Sequence, residues 1–541
     1  MKQKNFTKWS GRSLSAAAML AGLSLAAAYA VIAGSSRFAL AQTEPEAGPP
    51  PGRNGPAGRG AQNTVGLPGQ RNLLFVPDSD YIRFPLPPGD ERYASIQGEA
   101  LKKITEEVVA ISEKSRLDGN QYWGRITGTP YDKMTSDYVL AGFKKLGLQQ
   151  TREQEFELGP QWFATSWEVV LTAGGKTIPL RSAFPFQNSK GTPDGPIVAE
   201  PVWAGLGTPA DFKGRDVKGK AVFIFSWPTP GGRDHTALSN GAAKRAQDAG
   251  AALVFLILGF PGNATAIASV APPTIPAMTV GAEDGAAVRQ AIEQGVAANV
   301  RLRLDTKMVS GLKTNNTWGV LPGETDENIL VMAHHDGFFD AALDNASGTA
   351  LMLEIARFYA ALPKSQRRRT MTFLDTSGHH ISPDVGAAWI RENMHDMLNK
   401  TALIANCEHP SQTQIYYLGN GMMTSNAIDA RRWYAGPSDA LKNLVRDTFR
   451  EFGAALYTVP EASPGGELSQ LYKTAPSFHI IDHVFYHTDF DTLDWTPASG
   501  MEAVARAYMK VIDSVNGMKI EDVRGPNFQP VWAATGGGGA Q

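Results

Sequence analysis

The amino-acid sequence predicts an α/β protein, a mostly parallel mixed sheet flanked by helices, with a smaller β/α block inserted. Three observations carry this. "NILVMAH", "TMTFLD" and "ALIANCE" read as buried strands, of the kind covered on both faces. Helical patterns such as "SGTALMLEIARFYAAL" separate them, so crossovers join the strands. Nine of the ten histidines fall between 334 and 487, under a third of the chain, and open α/β sheets place their sites at the carboxyl ends of strands.

Each element follows in chain order. Lys2, Lys4, Lys8 and Arg12 precede an Ala/Leu-rich stretch from about Leu14 to Ala33, and "ALA" at 39–41 offers small residues before Gln42. This is a signal-peptide pattern over 1–41, with an uncleaved anchor as the rival reading because the apolar stretch is long. The expected location is the periplasm or the medium, with no stable membrane insertion after cleavage. Residues 42–92, with "EAGPPPGRNGPAGRG", read as a disordered Pro/Gly-rich linker.

Residues 93–160 are expected to be mainly helical. In "MTSDYVLAGFKKLGL", Tyr138, Phe143 and Leu146 recur at helical intervals and Gly147 supplies a stop. Residues 161–305 form a separate block in which the strand "GKAVFIFSW", a helix with Ala242, Ala246 and Ala249 on one face, and the strand "ALVFLIL" follow each other. Residues 306–520 repeat the alternation on a larger scale. The first and third blocks are expected to form one domain with the middle one inserted, and 521–541, ending "TGGGGAQ", a flexible tail.

At 541 residues, with 43% hydrophobic and 19% charged residues and a net charge of −2, the chain is ordinary globular material of two or more domains. That balance gives no reason to expect nucleic acid as partner. Cys407 is the only cysteine, so no internal disulfide forms and a core role is expected for it.

Four stretches place candidate metal ligands at strand ends. "VMAHHDGFFDAALDNASG" offers His334, Asp336 and Asp344; the alternative is that Asp344 or Asn345 only caps the next helix. "LDTSGHHISPDVG" offers His380 as ligand with His379 beside it, although paired histidines after a strand are more often turn or core residues. "ANCEHP" offers Glu408, and "FYHTDFDTLDW" offers His487 flanked by Tyr486, Asp489 and Asp491. Imidazole and carboxylate donors suit Zn²⁺, and one carboxylate can bridge two ions. A carboxylate bonded to a ligating imidazole fixes its tautomer, a role open to Asp336 or Asp491.

"ENILVMAHHDGFFDAALDNASGTALMLEIARFY" resembles the signature of the two-zinc aminopeptidase family, metallopeptidase family 28, which also contains glutamate carboxypeptidase, plasma carboxypeptidase Q-like enzymes and glutaminyl cyclases. "GKAVFIFSW…AAKRAQDAGAALVFLIL" looks like the protease-associated domain inserted in that family, and "YHTDFDTLDW" like its closing His motif. The resemblance covers about residues 93–515. It implies a zinc aminopeptidase-like fold in which His334 and Glu408 bind one ion, His380 and His487 the other, and Asp344 bridges them. It further implies that Asp336 orients His334 and that Tyr486 stabilises an oxyanion. The family has two consecutive glutamates where this chain has His379 and His380. The first glutamate is the base and the second a ligand. His380 remains an acceptable zinc ligand. His379 can take a proton from water if nearby cations depress its pKa and keep it neutral. With one carboxylate fewer, the site holds one or two Zn²⁺ ions.

Other motifs carry less. "GRDVKGKA" has phosphate-loop spacing but precedes a strand and lacks the Ser/Thr, so it reads as a turn. His235 stands alone, and Glu467 reads as a surface carboxylate that could meet a substrate amine. The expected function is an exported zinc hydrolase of peptide-type amide bonds, an aminopeptidase acting on a peptide or aminoacyl substrate. Two alternatives stay open: a catalytically impaired binding module, and a zinc acyltransferase such as a glutaminyl cyclase. A homodimer is left open as the assembly.

Overall fold

The structure, a computed structural model, describes residues 77–227, 241–268, 272–381, 384–418, 421–457, 459–481 and 484–532. The expected signal peptide, most of the expected linker and His235 lie outside the described residues.

Helices α1 (Gly98–Leu117) and α2 (Pro130–Lys145) lead into strand β1 (Gln149–Glu157), which departs from the helical expectation for 93–160. Then come β2 (Lys313–Leu321), β3 (Thr325–His334), α3 (Ser347–Ala360), β4 (Arg369–Thr376), α4 (Val385–Asn393) and β5 (Thr401–Asn406). β6 (Arg432–Gly436), α5 (Asp439–Glu451), β7 (Ser477–Ile481) and α6 (Ala498–Gly517) complete the set. The seven strands form one sheet in the order β6-β7-β5-β3-β4-β2-β1. The central strands β7, β5, β3 and β4 run parallel, while β6, β2 and β1 join antiparallel at the edges. The sheet is therefore mixed, with its parallel part confined to the centre.

The sequence of β3 explains why it sits there. Ile329, Val331 and Ala333 share one core with Val139 and Phe143 of α2, Leu351 and Ile355 of α3, and Val504 and Tyr508 of α6. Leu330 and Met332, on the opposite pleat, pack with Leu374, Ala387 and Ile390. Both faces are covered, so the run Ile329–Ala333 is apolar at every position, and each buried Leu or Ile contributes on the order of 1.5–3 kcal/mol.

Residues 161–309 build two further sheets. One has five strands, among them Ala221–Ser226 and Leu253–Leu258, and the other four, with Gln161–Ala173 paired along Ala298–Val309. That last strand runs past the expected boundary at 305. In the helix Ala242–Asp248, Ala242, Ala243 and Ala246 are buried and Ala249 is exposed, so the apolar face ends one turn earlier than expected. The described parts of the expected linker and tail are also better packed than expected. In the expected linker, Tyr81 is buried with its hydroxyl 2.5 Å from Thr413 Oγ1, and Lys510 Nζ donates to Asp90 at 2.6 Å. In the expected tail, Ile520–Arg524 is helical with Val523 buried, and Val531 N donates to Lys473 O at 2.9 Å. Among the described residues no helix is long and apolar enough to cross a membrane.

Candidate metal centre

The parallel strands point their carboxyl ends the same way, which brings distant residues together. His334 is the last residue of β3. Beyond β4 the chain turns at Gly378, whose φ of +83° suits glycine and where an added Cβ would lie 2.3 Å from Val385 Cγ2. That turn delivers His379 and His380. Glu408 and His409 follow β5, Asp344 lies on the loop before α3, and His487 follows β7.

Asp344 is the hub, and it is 2% exposed. Its Oδ2 lies 3.4 Å from both His380 Nε2 and His487 Nε2. Its Oδ1 lies 3.3 Å from His334 Nε2 and 3.2 Å from His409 Nε2. The two histidines of the opening motif thus part company. His380 joins Asp344 and His487, all three with donor atoms within 4.8 Å of one another. His379 instead lies flat on His334, with ring centroids 3.9 Å apart and planes 8° from parallel. Its Nε2 faces Glu408 Oε1 at 4.0 Å, and its Nδ1 faces Asp384 Oδ2 at 3.3 Å and Glu467 Oε2 at 3.7 Å. Donor atoms of His334, His379 and Glu408 also lie within 4.8 Å. Lone pairs lie in the ring plane, however, so one ion between two stacked imidazoles would sit far out of both planes. His334 and His379 do not share an ion in this geometry.

Several expected roles are reassigned. Asp336 meets His334 Nδ1 chiefly through its carbonyl, at 3.1 Å, with its carboxylate Oδ1 3.6 Å from the same nitrogen. The second carboxylate oxygen is turned to the other motif, with Oδ2 3.1 Å from His380 Nδ1 and 3.1 Å from the His380 backbone N–H that it accepts from. Asp491 does not back a histidine; it accepts from Leu343 N at 2.8 Å and Asp344 N at 3.0 Å and so pins the Asp344 loop. Asp489 accepts from Thr265 N at 2.8 Å. α3 has no side-chain cap bond, so neither Asp344 nor Asn345 caps it; Asn345 Nδ2 donates to Cys407 O at 3.0 Å. Glu467, read as a surface carboxylate, is fully buried and accepts from Asn406 Nδ2 at 3.1 Å. Tyr486 stacks on His487, 3.6 Å between ring centroids. Cys407 is buried, as a core residue is.

The electrostatics follow from burial and neighbours. Burial, with His380 alongside, pulls His487 down to about 3, leaving a neutral imidazole ready to donate a lone pair. Burial, with Glu408 nearby, pushes Glu467 up to about 7. Glu408 goes the other way: burial opposes its charge, but His479 at 3.3 Å and the other imidazoles outweigh burial and hold it well below the usual carboxylate range. In the metal-free chain, burial and His334 lower His379, yet Glu467 and Asp384 prevail and raise it to about 9; a neutral ring there depends on the charge of bound cations.

Sequence reasoning missed several members. His409 and His479 lie far from any metal-type spacing, although "CEHP" did put His409 beside Glu408. Gly466, with φ +58°, makes room for the Glu408 carboxylate: a Cβ there would lie 2.8 Å from its Oε1. Arg125, fully buried, donates to the carbonyls of His335, Asp340 and Ala341 at 2.8, 3.0 and 3.1 Å and shapes the loop after β3. His335 is held between Asp375 Oδ2 at 2.5 Å and Asp132 Oδ1 at 2.9 Å. A ring with both nitrogens against carboxylates is a double donor, hence an imidazolium.

These residues fit zinc. Tetrahedral ligand atoms bonded at about 2.0–2.1 Å lie roughly 3.3 Å apart, close to the 3.4 Å from Asp344 Oδ2 to each of His380 and His487. His334 Nε2 and Asp344 Oδ1 are buried without a hydrogen-bond partner, which a shared cation would satisfy.

A mixed α/β sheet carrying this cluster at the ends of its parallel strands has a zinc-aminopeptidase-like fold. Residues 316–409 match the model of Peptidase family M28. The chain is 23% identical over 456 residues to maize "Probable glutamate carboxypeptidase VP8", covering 69% of this chain and 61% of the relative. It is 28% identical over 260 residues to "Aminopeptidase YwaD" of Bacillus subtilis strain 168, covering 46% of this chain and 50% of that protein. The chain thus spans only about half to three-fifths of the length of these relatives. The solved zinc aminopeptidase from Bacillus subtilis shares the fold, with a TM-score of 0.54 at 19% identity, covering 82% of this chain and 99% of that one.

Proposed function

We propose that this chain is an exported zinc-dependent hydrolase of peptide-type amide bonds, an aminopeptidase, with residues 161–305 as an inserted protease-associated domain. One observation carries the reading most directly: His380 and His487 both stand 3.4 Å from a single oxygen of buried Asp344, at the spacing of a zinc coordination sphere. Both glutamates of the family motif are replaced, yet each replacement is still a group able to coordinate or to move a proton.

Asp344, His380 and His487 would hold one ion, and His334 and Glu408 with the other oxygen of Asp344 a second. Zinc there supplies Lewis acidity toward the scissile carbonyl and the attacking water. With bound cations lowering its pKa and keeping the ring neutral, His379 would take the proton of that water at Nε2, because Asp384 and Glu467 occupy the Nδ1 side. The same proton passes to the leaving amine as the C–N bond breaks, so water adds across the bond with no other reactant. Tyr486, held against His487, donates to the developing oxyanion.

The test is turnover of a panel of aminoacyl and dipeptide substrates by protein stripped of metal and then resupplied with zinc. Hydrolysis that returns with zinc supports the reading, and failure to see metal-dependent turnover on any substrate removes it.

A further inference from the structure

We propose that Asp384 is the positioning residue of His379: it accepts a hydrogen bond from Nδ1–H of the neutral ring and so leaves Nε2 bare toward the site. The proposal rests on the hydrolase reading and adds to it the group that makes an imidazole serviceable as the base.

The connection from β4 to α4 brings the two side chains together. Val385 N donates to Gly378 O at 3.3 Å, so the chain that leaves β4 at Gly378 returns to it at the first residue of α4. Asp384 is the N-cap of that helix, and its Oδ1 accepts from Ala387 N at 2.9 Å. The capping bond fixes the carboxylate and leaves its second oxygen, Oδ2, facing His379 Nδ1 at 3.3 Å. Both atoms are buried, and neither has another hydrogen-bond partner. A buried donor and a buried acceptor left facing each other need only a small turn of either side chain to make a bond.

The ring needs such a partner because stacking alone does not orient it. His379 lies 8° from parallel to His334, and a half-turn about its Cβ–Cγ bond would preserve that stack while putting carbon where Nδ1 stands. A neutral imidazole also carries its proton on either nitrogen, and the acceptor it meets decides which. Nε2 faces Glu408 Oε1 at 4.0 Å, beyond hydrogen-bond range. On the Nδ1 side Glu467 Oε2 stands off at 3.7 Å and accepts from Asn406 Nδ2 at 3.1 Å instead. Of these three carboxylates only Asp384 is within bonding distance, so it selects both the ring's orientation and the Nδ1–H tautomer. A carboxylate base has two equivalent oxygens and needs neither service, so the partner matters once a histidine stands at 379.

Nitrogen-15 magnetic resonance of the zinc-loaded full chain, labelled at histidine, reads the tautomer without requiring turnover; the His379 signal is the one lost in His379→Gln. The wild type is expected to show His379 with a protonated Nδ1 and a bare Nε2. Asp384→Asn keeps the helix cap, since asparagine caps as well as aspartate, but turns an amide donor toward Nδ1. His379 should then switch to the Nε2–H tautomer at unchanged zinc per chain, and kcat should fall about 10²–10⁴-fold with KM within about threefold. Asp384→Ser, which also caps and lacks the second oxygen, should lose kcat likewise with thermal stability kept. Glu467→Gln should leave the Nδ1–H tautomer in place. A protonated Nε2 in the wild type, an unchanged tautomer in Asp384→Asn, or a switch in Glu467→Gln instead overturns the proposal. If the tautomer switches as expected but zinc restores no hydrolysis in the wild type, the hydrolase reading falls and the assignment of Asp384 stands.

Discussion

His379 lies face to face on His334, 3.9 Å between ring centroids and 8° from parallel, while its sequence neighbour His380 points at Asp344. Two adjacent imidazoles therefore have different tasks. His380→Ala should cost one zinc per chain, whereas His379→Ala should keep its zinc and lose about 10²–10⁴-fold in kcat, the range for removing a general base. Zinc per chain and steady-state rates on the two variants check this. Loss of zinc from His379→Ala would make it a ligand instead.

Asp336 stands behind His380, its Oδ2 3.1 Å from Nδ1. Carboxylates in that position fix the ligand's tautomer and direction, and removing one typically weakens metal binding about 10–100-fold. Asp336→Asn is expected to lower zinc affinity by that factor with the fold intact, as read by competition against a chelating dye.

Beneath the site, the His335 imidazolium between Asp132 and Asp375 makes stability depend on pH. Burial lowers its pKa, but Asp375 and Asp132 outweigh burial and raise it to about 10. The folded value lies above the ordinary imidazole value of about 6.5. This contribution is therefore complete below about pH 6.5 and is lost as pH rises through about 10. The denaturant midpoint of the wild type should fall across that window, and that of His335→Gln, already lower by about 3–5 kcal/mol of unfolding free energy for two unpaired buried carboxylates, should stay flatter.

The sequence made the sheet and the strand-end ligands legible because both are local signals. The run Ile329–Ala333 of β3 is apolar at every position since it faces two cores, and His334 ends the strand directly after it. The carboxylate partners were not legible. Glu467 reaches His379 from about ninety residues away, and nothing around "PGGEL" distinguishes a buried carboxylate from an exposed one. Asp336 and Asp491 were found, but which neighbour each carboxylate turns to is set by tertiary packing: Asp336 Oδ2 toward His380, Asp491 toward the Asp344 backbone. The packing of residues 77–92 was hidden by a Pro/Gly-rich composition that runs on past Tyr81 through Pro85, Pro87, Pro88 and Gly89.

Gly466 offers a further check on Glu408. Adding a methyl group there strains a backbone at φ +58° and drives a Cβ to within 2.8 Å of the carboxylate. Gly466→Ala should lower zinc affinity and thermal stability together, the backbone part costing about 1 kcal/mol or more, as followed by calorimetric unfolding with and without zinc.

The central claim is that Asp344 gathers zinc for amide hydrolysis, and the most direct measurement is the zinc dependence of aminoacyl-substrate hydrolysis in wild type and Asp344→Asn. The wild type, stripped of metal, should be inactive and recover on adding zinc, while Asp344→Asn should fold, bind less zinc and stay inactive. A variant as active as the wild type, or a wild type indifferent to zinc, would contradict the account.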